Sequence, residues 1–273
     1  MNQSQSPRPA PPSTVTAHIK FQVAGQDLAI DLTVPTRPVP LRQMLPLFQA
    51  LTNVIVDAEV QQTVAEGKSI SCKAGCGACC RQLVPISEIE ARQIADLIES
   101  LPEPRREVIR GRFEEARRKL GEAGLLEALR HPETWDLGDR AKLGLSYFGL
   151  GIACPFLEEE SCSIHPERPM ACREYLVTSP AEHCARPTAE TVHCVPITKS
   201  IWTSVARLDA PDPTSKHIRF VPLVLAPEWA EAHPDEGTPR RPPEALQDLF
   251  GILSGKPVIS GPTAGPSGAS AKS

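Results

Sequence analysis

Cys72-Lys73-Ala74-Gly75-Cys76-Gly77-Ala78-Cys79-Cys80 places four cysteines in nine residues, and the reading of this stretch decides the reading of the chain. It is answered downstream by Cys154, Cys162, Cys172 and Cys184, with a ninth thiol at Cys194. Disulfides, an apolar use of cysteine and thiolates bound to metal compete to explain such density. Disulfides suit small secreted domains, and no charged-then-apolar signal segment opens this sequence. An apolar patch would not need Gly75 and Gly77 between its thiols. Glycines there let the backbone fold tightly enough for several sulfurs to converge. Metal ligation is the reading that uses all of these residues.

The spacing narrows the metal without naming it. Cys72-x3-Cys76-x2-Cys79 can present three sulfurs to an iron–sulfur cluster of the 4Fe–4S type, with a fourth ligand from elsewhere. Zinc favours two separated C-x2-C pairs, and only Cys76/Cys79 has that spacing. Cys79 and Cys80 are adjacent, so their side chains are expected to diverge and to serve two different metal atoms. The eight thiols Cys72, Cys76, Cys79, Cys80, Cys154, Cys162, Cys172 and Cys184 could then form two four-coordinate sites, or one cluster and one zinc. Lys68, Lys73, Arg81, Arg168 and Arg173 lie beside them and could offset thiolate charge, although each alone also reads as solvated surface. His165, His183 and His193 stand next to cysteines as spare ligands.

Those residues carry a resemblance. Cys-x3-Cys-x2-Cys-Cys is followed by Cys154-Pro155-Phe156-Leu157, by Cys162 with Ile164 after an acidic turn, by Arg168-Pro169-x2-Cys172-Arg173, and by Cys184. This order resembles the YkgJ-type cysteine-cluster family, a zinc- or iron-chelating domain with a CxxxCxxCC signature. The likeness runs over about residues 68 to 185, less the insert between the two cysteine groups, and leaves Cys194 outside the pattern. Flagellin lysine N-methylases carry a similar cluster, which implies iron–sulfur-dependent methyl transfer.

Around the cysteines the periodicity changes twice. Ile19, Phe21 and Val23, then Leu28, Ile30, Leu32 and Val34, alternate with polar residues about Ala24-Gly25, which predicts a β-hairpin over 16–34. From about 42 to 66 the stripe Leu45, Phe48, Leu51, Ile55, Ala58 and Val64 predicts a helix, with Pro46 in its first turn. Ser87-x2-Glu90 is a capping box that opens a helix over 87–101. Val108, Ile109, Phe113, Ala116 and Leu120 predict a third helix over 105–130, which Gly121 and Gly124 could interrupt. Residues 131 to 153 read as loop, with Trp135, Tyr147 and Phe148 filling core or shielding the cysteines. Further on, a short helix over 197–208, a buried extended segment over 219–225 and a last helix over 243–253 are expected.

The fold class expected is α+β, mainly α: an N-terminal hairpin packed on a small core of three principal helices, with cysteine-rich loops meeting at one end. One domain over 15–200 would carry a C-terminal extension over 201–253, between a disordered tail over 1–14 and a flexible one over 254–273. A net charge of −4, a pI near 6.0 and 4% aromatic residues argue against a nucleic-acid surface. The longest apolar run falls short of the ~20 residues a membrane helix needs. A cytosolic protein with an unidentified protein or small-molecule partner is expected. Two functions follow: an iron–sulfur protein in redox or methyl-transfer chemistry, or a non-catalytic module stapled by zinc or iron. Radical-SAM chemistry is disfavoured because no alternating strands follow the cysteines, and a thiol–disulfide oxidoreductase because a thioredoxin-like strand pattern is missing.

Overall fold

The computed structural model describes residues 13–135, 137–188, 190–210, 218–234 and 237–255. The two expected tails lie almost wholly outside these residues. The alternating N-terminal segments pair as an antiparallel hairpin, β1 (Thr14–Val23) and β2 (Gln26–Pro35), in register from Thr14↔Pro35 to Val23↔Gln26. Its turn is Ala24-Gly25, both at positive φ, the two-residue geometry that matches strand twist. A lone hairpin is marginal in water. Phe21, Leu28, Ile30 and Leu32 therefore lie on a core built by α1 (Leu45–Ala65).

A 3-10 turn over Leu41–Met44 leads into α1, and Pro46 occupies its first turn as expected. Phe48, Leu51, Ile55 and Ala58 are buried, but Val64 points to solvent at 54% exposure. The buried face in the last turns of α1 runs through Glu59 and Thr63, at 2% and 3% exposure, so Val64 falls outside it. The capping box forms: Ser87 Oγ accepts from Glu90 N at the start of α2 (Glu88–Ser100). The third predicted helix is divided into α3 (Arg105–Glu122) and α4 (Leu126–Arg130) by Gly124, at φ +68°. Val108, expected inward, is half exposed, while Ile109, Phe113, Ala116 and Leu120 are buried.

Two readings need correction. The stretch expected as loop contains α5 (Leu137–Gly149), obscured by Gly138, Gly144 and Gly149, each unfavourable in a helix. The three principal helices also do not form one bundle. α1 packs against α6 (Met170–Glu174) and α7 (Ile201–Leu208), whereas α2 packs against α3 and α8 (Ala226–Ala232).

Residues 201–253, read as an extension, are built into the same cores. Ile201, Val205 and Leu208 of α7, with Leu246, Leu249 and Leu253 of α9 (Pro242–Leu253), join Phe48 and Leu51 under the hairpin. The apolar segment after Arg219 becomes β6 (Val221–Pro222), which pairs antiparallel with β3 (Pro85–Ile86) just beyond the first cysteine group. A second core joins Ile94, Ile98, Ile109 and Phe113 to Phe156 and Ile164, and Cys154 and Cys162 pack against it. Trp135 and Tyr147 fill a third with Leu120, Leu129 and Ile152. Among the described residues no helix is long and apolar enough to cross a membrane.

Candidate metal centre

The first cysteine group leaves α1 through Gly67, at φ +80°. Ser71 N donates to Val177 O at 2.9 Å, fixing the loop before Cys72 begins to turn. Gly75 sits at φ +80° and Cys76 N reaches back to Lys73 O at 3.2 Å, which closes a tight turn. Gly77 is required for a different reason. A β-carbon there would lie 2.6 Å from Leu157 Cδ1 and 2.7 Å from Glu160 Oε2. Cys79 and Cys80 then stand on a 3-10 turn over Ala78–Arg81. The adjacent thiols each shift the other's titration, and both line the cavity described below.

The second group is brought to the first by main chain. Cys154 N donates to Cys80 O at 2.7 Å, and the chain continues into the hairpin β4 (Leu157–Glu158) and β5 (Ser161–Cys162). Cys162 is paired with Leu157 across it, and the turn residues Glu159 and Glu160 are at φ +49° and +58°. That turn aims Glu160 at Arg81, whose two guanidinium nitrogens donate at 3.0 and 2.6 Å. Arg81 also donates to Gly77 O at 2.9 Å, so it ties both groups together.

Cys172 and Arg173 ride on α6, whose position is set by buried polar contacts. Glu90 is 2% exposed and uses the oxygen left over from its capping box to accept from Met170 N at 2.7 Å. Arg173, 7% exposed, donates from Nε to Arg168 O at 2.9 Å and from Nη1 to Asn53 Oδ1 at 3.1 Å, and from Nη2 to Pro166 O. It belongs to the scaffold and not to the solvated surface. Glu174 in turn accepts from Trp202 N at 2.9 Å and Ser200 Oγ at 2.6 Å, holding the first turn of α7. Cys184 is on a separate 3-10 turn over Ala181–Ala185, packed against the Cys79–Cys80 turn.

Together the eight predicted thiols line one cavity of about 550 Å³, with Leu83, Val84, Ile164 and Leu176 among its apolar walls. All nine cysteines are free; Cys184 is buried, Cys194 exposed and the other seven half-buried. Among the described residues no three potential ligands meet closely enough to grip a single ion. The thiols thus surround a volume instead of a point. Burial pushes the Cys72 and Cys162 thiols up, Cys184 to about 11, Cys154 to about 12, and Cys172 well above the ordinary range. Cys79 goes the other way, to about 7, because Cys80 donates to its sulfur and Arg168 lies nearby. Soft all-sulfur donors suit zinc or iron–sulfur groups, and a thiol bound to metal is held deprotonated. The residues therefore fit such a group.

Of the five expected cations, Arg168 and Lys73 line the cavity, and Arg168 Nε is buried without a hydrogen-bond partner. Lys68 pairs with Glu66 at 3.0 Å. His165 is at the cavity wall, its pKa lowered first by Arg168; His183 Nδ1 is 2.8 Å from Thr191 O. Trp135 and Tyr147 are core, with Tyr147 close enough to Cys154 to feel its charge. Tyr175 and Gln82, which the sequence reading did not single out, also line the cavity, and Gln82 Nε2 donates to Tyr175 Oη at 3.0 Å. Neither carries a local motif that would have marked it. Cys194 is not part of this lining: it pairs with Val177 and faces a separate pocket with Thr178 and His193.

No curated protein and no solved structure matches the chain. Residues 71–194 match the family model CxxCxxCC, described as a "Putative zinc- or iron-chelating domain". That match begins one residue before Cys72 and ends on Cys194, so all nine cysteines fall within it.

Proposed function

We propose that the thiol-lined cavity binds an iron–sulfur cluster, of the 4Fe–4S type, and that the protein acts in redox or methyl-transfer chemistry at that cavity. The observation that carries this reading is the shape of the donor set. Eight thiols enclose about 550 Å³ without converging on one ion position, which suits a group of several atoms better than a lone zinc. When bound, such a group supplies one-electron transfer or an open iron for substrate.

The chain's own residues do the rest. Phe156 and Ile164 are buried beside Cys154 and Cys162 and keep water from the inner wall. Arg168 puts a cation where thiolate charge would accumulate, and Glu90, Arg173 and Glu174 keep α6 in place. A small molecule or a protein partner would be served at the open side. Anaerobic purification followed by iron, sulfide and zinc analysis tests the reading. Brown protein absorbing near ~400 nm, bleached reversibly by dithionite, is expected. Colourless protein with stoichiometric zinc would overturn it in favour of a non-catalytic zinc module.

A further inference from the structure

The motif Arg168-Pro169-x2-Cys172-Arg173 carries two arginines, and the fold gives them different work. Arg173 is buried, and all three of its guanidinium nitrogens have acceptors: Arg168 O, Asn53 Oδ1 and Pro166 O. Its bond to Arg168 O, with buried Pro169 directly after, fixes the main chain at Arg168. Arg81, beside the first cysteine group, is also committed, to both oxygens of Glu160 and to Gly77 O. Arg168 is not. Its side chain lines the thiol cavity, its Nε is buried with no hydrogen-bond partner, and among the described residues no carboxylate pairs with it. Lys73, exposed on the same lining, has no carboxylate partner among them either. Of the described residues around the cavity only Glu160 brings a carboxylate, and Arg81 holds it.

A buried N–H without an acceptor is costly, and a fold retains it where a ligand supplies the acceptor. The guanidinium fork matches the two oxygens of a carboxylate or phosphate and gives charge-assisted bonds to them. Around it the cavity of about 550 Å³ has apolar walls in Leu83, Val84, Ile164 and Leu176. Few polar groups on a mostly apolar wall is the usual make-up of a small-molecule site. We infer that this cavity binds, beside the metal–thiolate group, a small organic acid whose carboxylate or phosphate is held by Arg168. Lys73 draws the anion in at the rim, and the apolar wall covers the rest of the molecule. The inference rests on the reading of this cavity as the functional site, not on the identity of the metal. A metal–thiolate group is itself anionic, so the test must separate the two sources of negative charge.

Anaerobically purified full-length wild type, R168Q, R168K and K73Q are titrated calorimetrically with butyrate, inorganic phosphate and the neutral butyramide at fixed ionic strength, and their metal content is measured alongside. At least one of the two anions should saturate a single site per chain in wild type, and butyramide should not. R168Q should bind that anion about 10- to 100-fold more weakly, the usual size of a lost charge-assisted bond. R168K should lose less, since lysine keeps the charge without the fork, and K73Q less again. If R168Q folds poorly, R168K decides, and unchanged affinity in it would overturn the inference. So would equal affinity in wild type and R168Q, or saturable binding of neither anion by wild type. Loss of metal in R168Q while wild type binds neither anion would assign Arg168 to the metal group's own charge, and also overturn it. Colourless zinc protein that binds an anion through Arg168 would sink the iron–sulfur reading and leave this one standing. Iron and sulfide in a protein that binds neither anion would do the reverse.

Discussion

Glu90 shows how a residue chosen for a local reason acquires a second one. Its carboxylate accepts from Ser87 N and Oγ at 2.9 and 2.8 Å and from Met170 N at 2.7 Å, all away from solvent. Glu90→Ala would leave the Met170 and Ser87 donors unpaired and should cost about 3 kcal/mol in urea denaturation, more than loss of a surface cap. Gly77 is constrained by approach and not by its φ. Gly77→Ala must push Leu157 or Glu160 aside, and a loss of about 1–3 kcal/mol is expected by the same measurement. Asp209 supplies a pH dependence far from the thiols. Its carboxyl is raised to about 7, first by burial and then by Glu88, although Ile89 N donates to it at 2.8 Å. A carboxyl with a raised folded pKa favours the fold when protonated. Its contribution is therefore complete below about pH 4 and lost as pH rises through about 7, by up to about 4 kcal/mol. Thermal denaturation of Asp209→Asn between pH 4 and 8 should decline less steeply than wild type; parallel curves would remove Asp209 as the cause.

Elements were legible where one periodicity ran unbroken. The hairpin, α1 and α2 follow from alternation, an apolar stripe and a capping box, all properties of neighbours in sequence. The expected β-hairpin on a helical α+β core is present. α5 was missed because its glycines mimic a loop, and α8 because Val221 to Leu225 read as extended up to its first turn. The grouping of the helices was also illegible: which helix α1 meets depends on α7 and α9, far along the chain. The cysteine motif marked the cavity wall, but nothing local marked Tyr175 or Gln82, whose relevance comes from strand-like pairing about Val177. The β4–β5 turn offers a test at this scale. Glu159 occupies φ +49°, where Asn is tolerated better than Glu. Glu159→Asn should therefore raise stability by about 0.5–1 kcal/mol, read as a shift in urea midpoint at unchanged slope. A lower midpoint would mean that the Glu159 side chain has a role of its own.

At the scale of the whole molecule, two cysteine groups separated by a long helical insert are joined by Cys154 N–Cys80 O, by the Arg81–Glu160 pair and by the common cavity. Each group is loop-like on its own, and the helices that intervene return the chain to its start. Metal binding that draws ligands from both groups would be coupled to folding of the whole core. The measurement that bears most directly on this account is metal content and limited proteolysis of anaerobically purified Cys172→Ser beside Cys76→Ser and wild type. Both variants should carry less metal, and in each the distant cysteine segment should become cleavable: Cys72 to Cys80 in Cys172→Ser, and Cys154 to Cys184 in Cys76→Ser. A Cys172→Ser protein whose Cys72 to Cys80 loop stays fully protected, with the metal content of wild type, would contradict it.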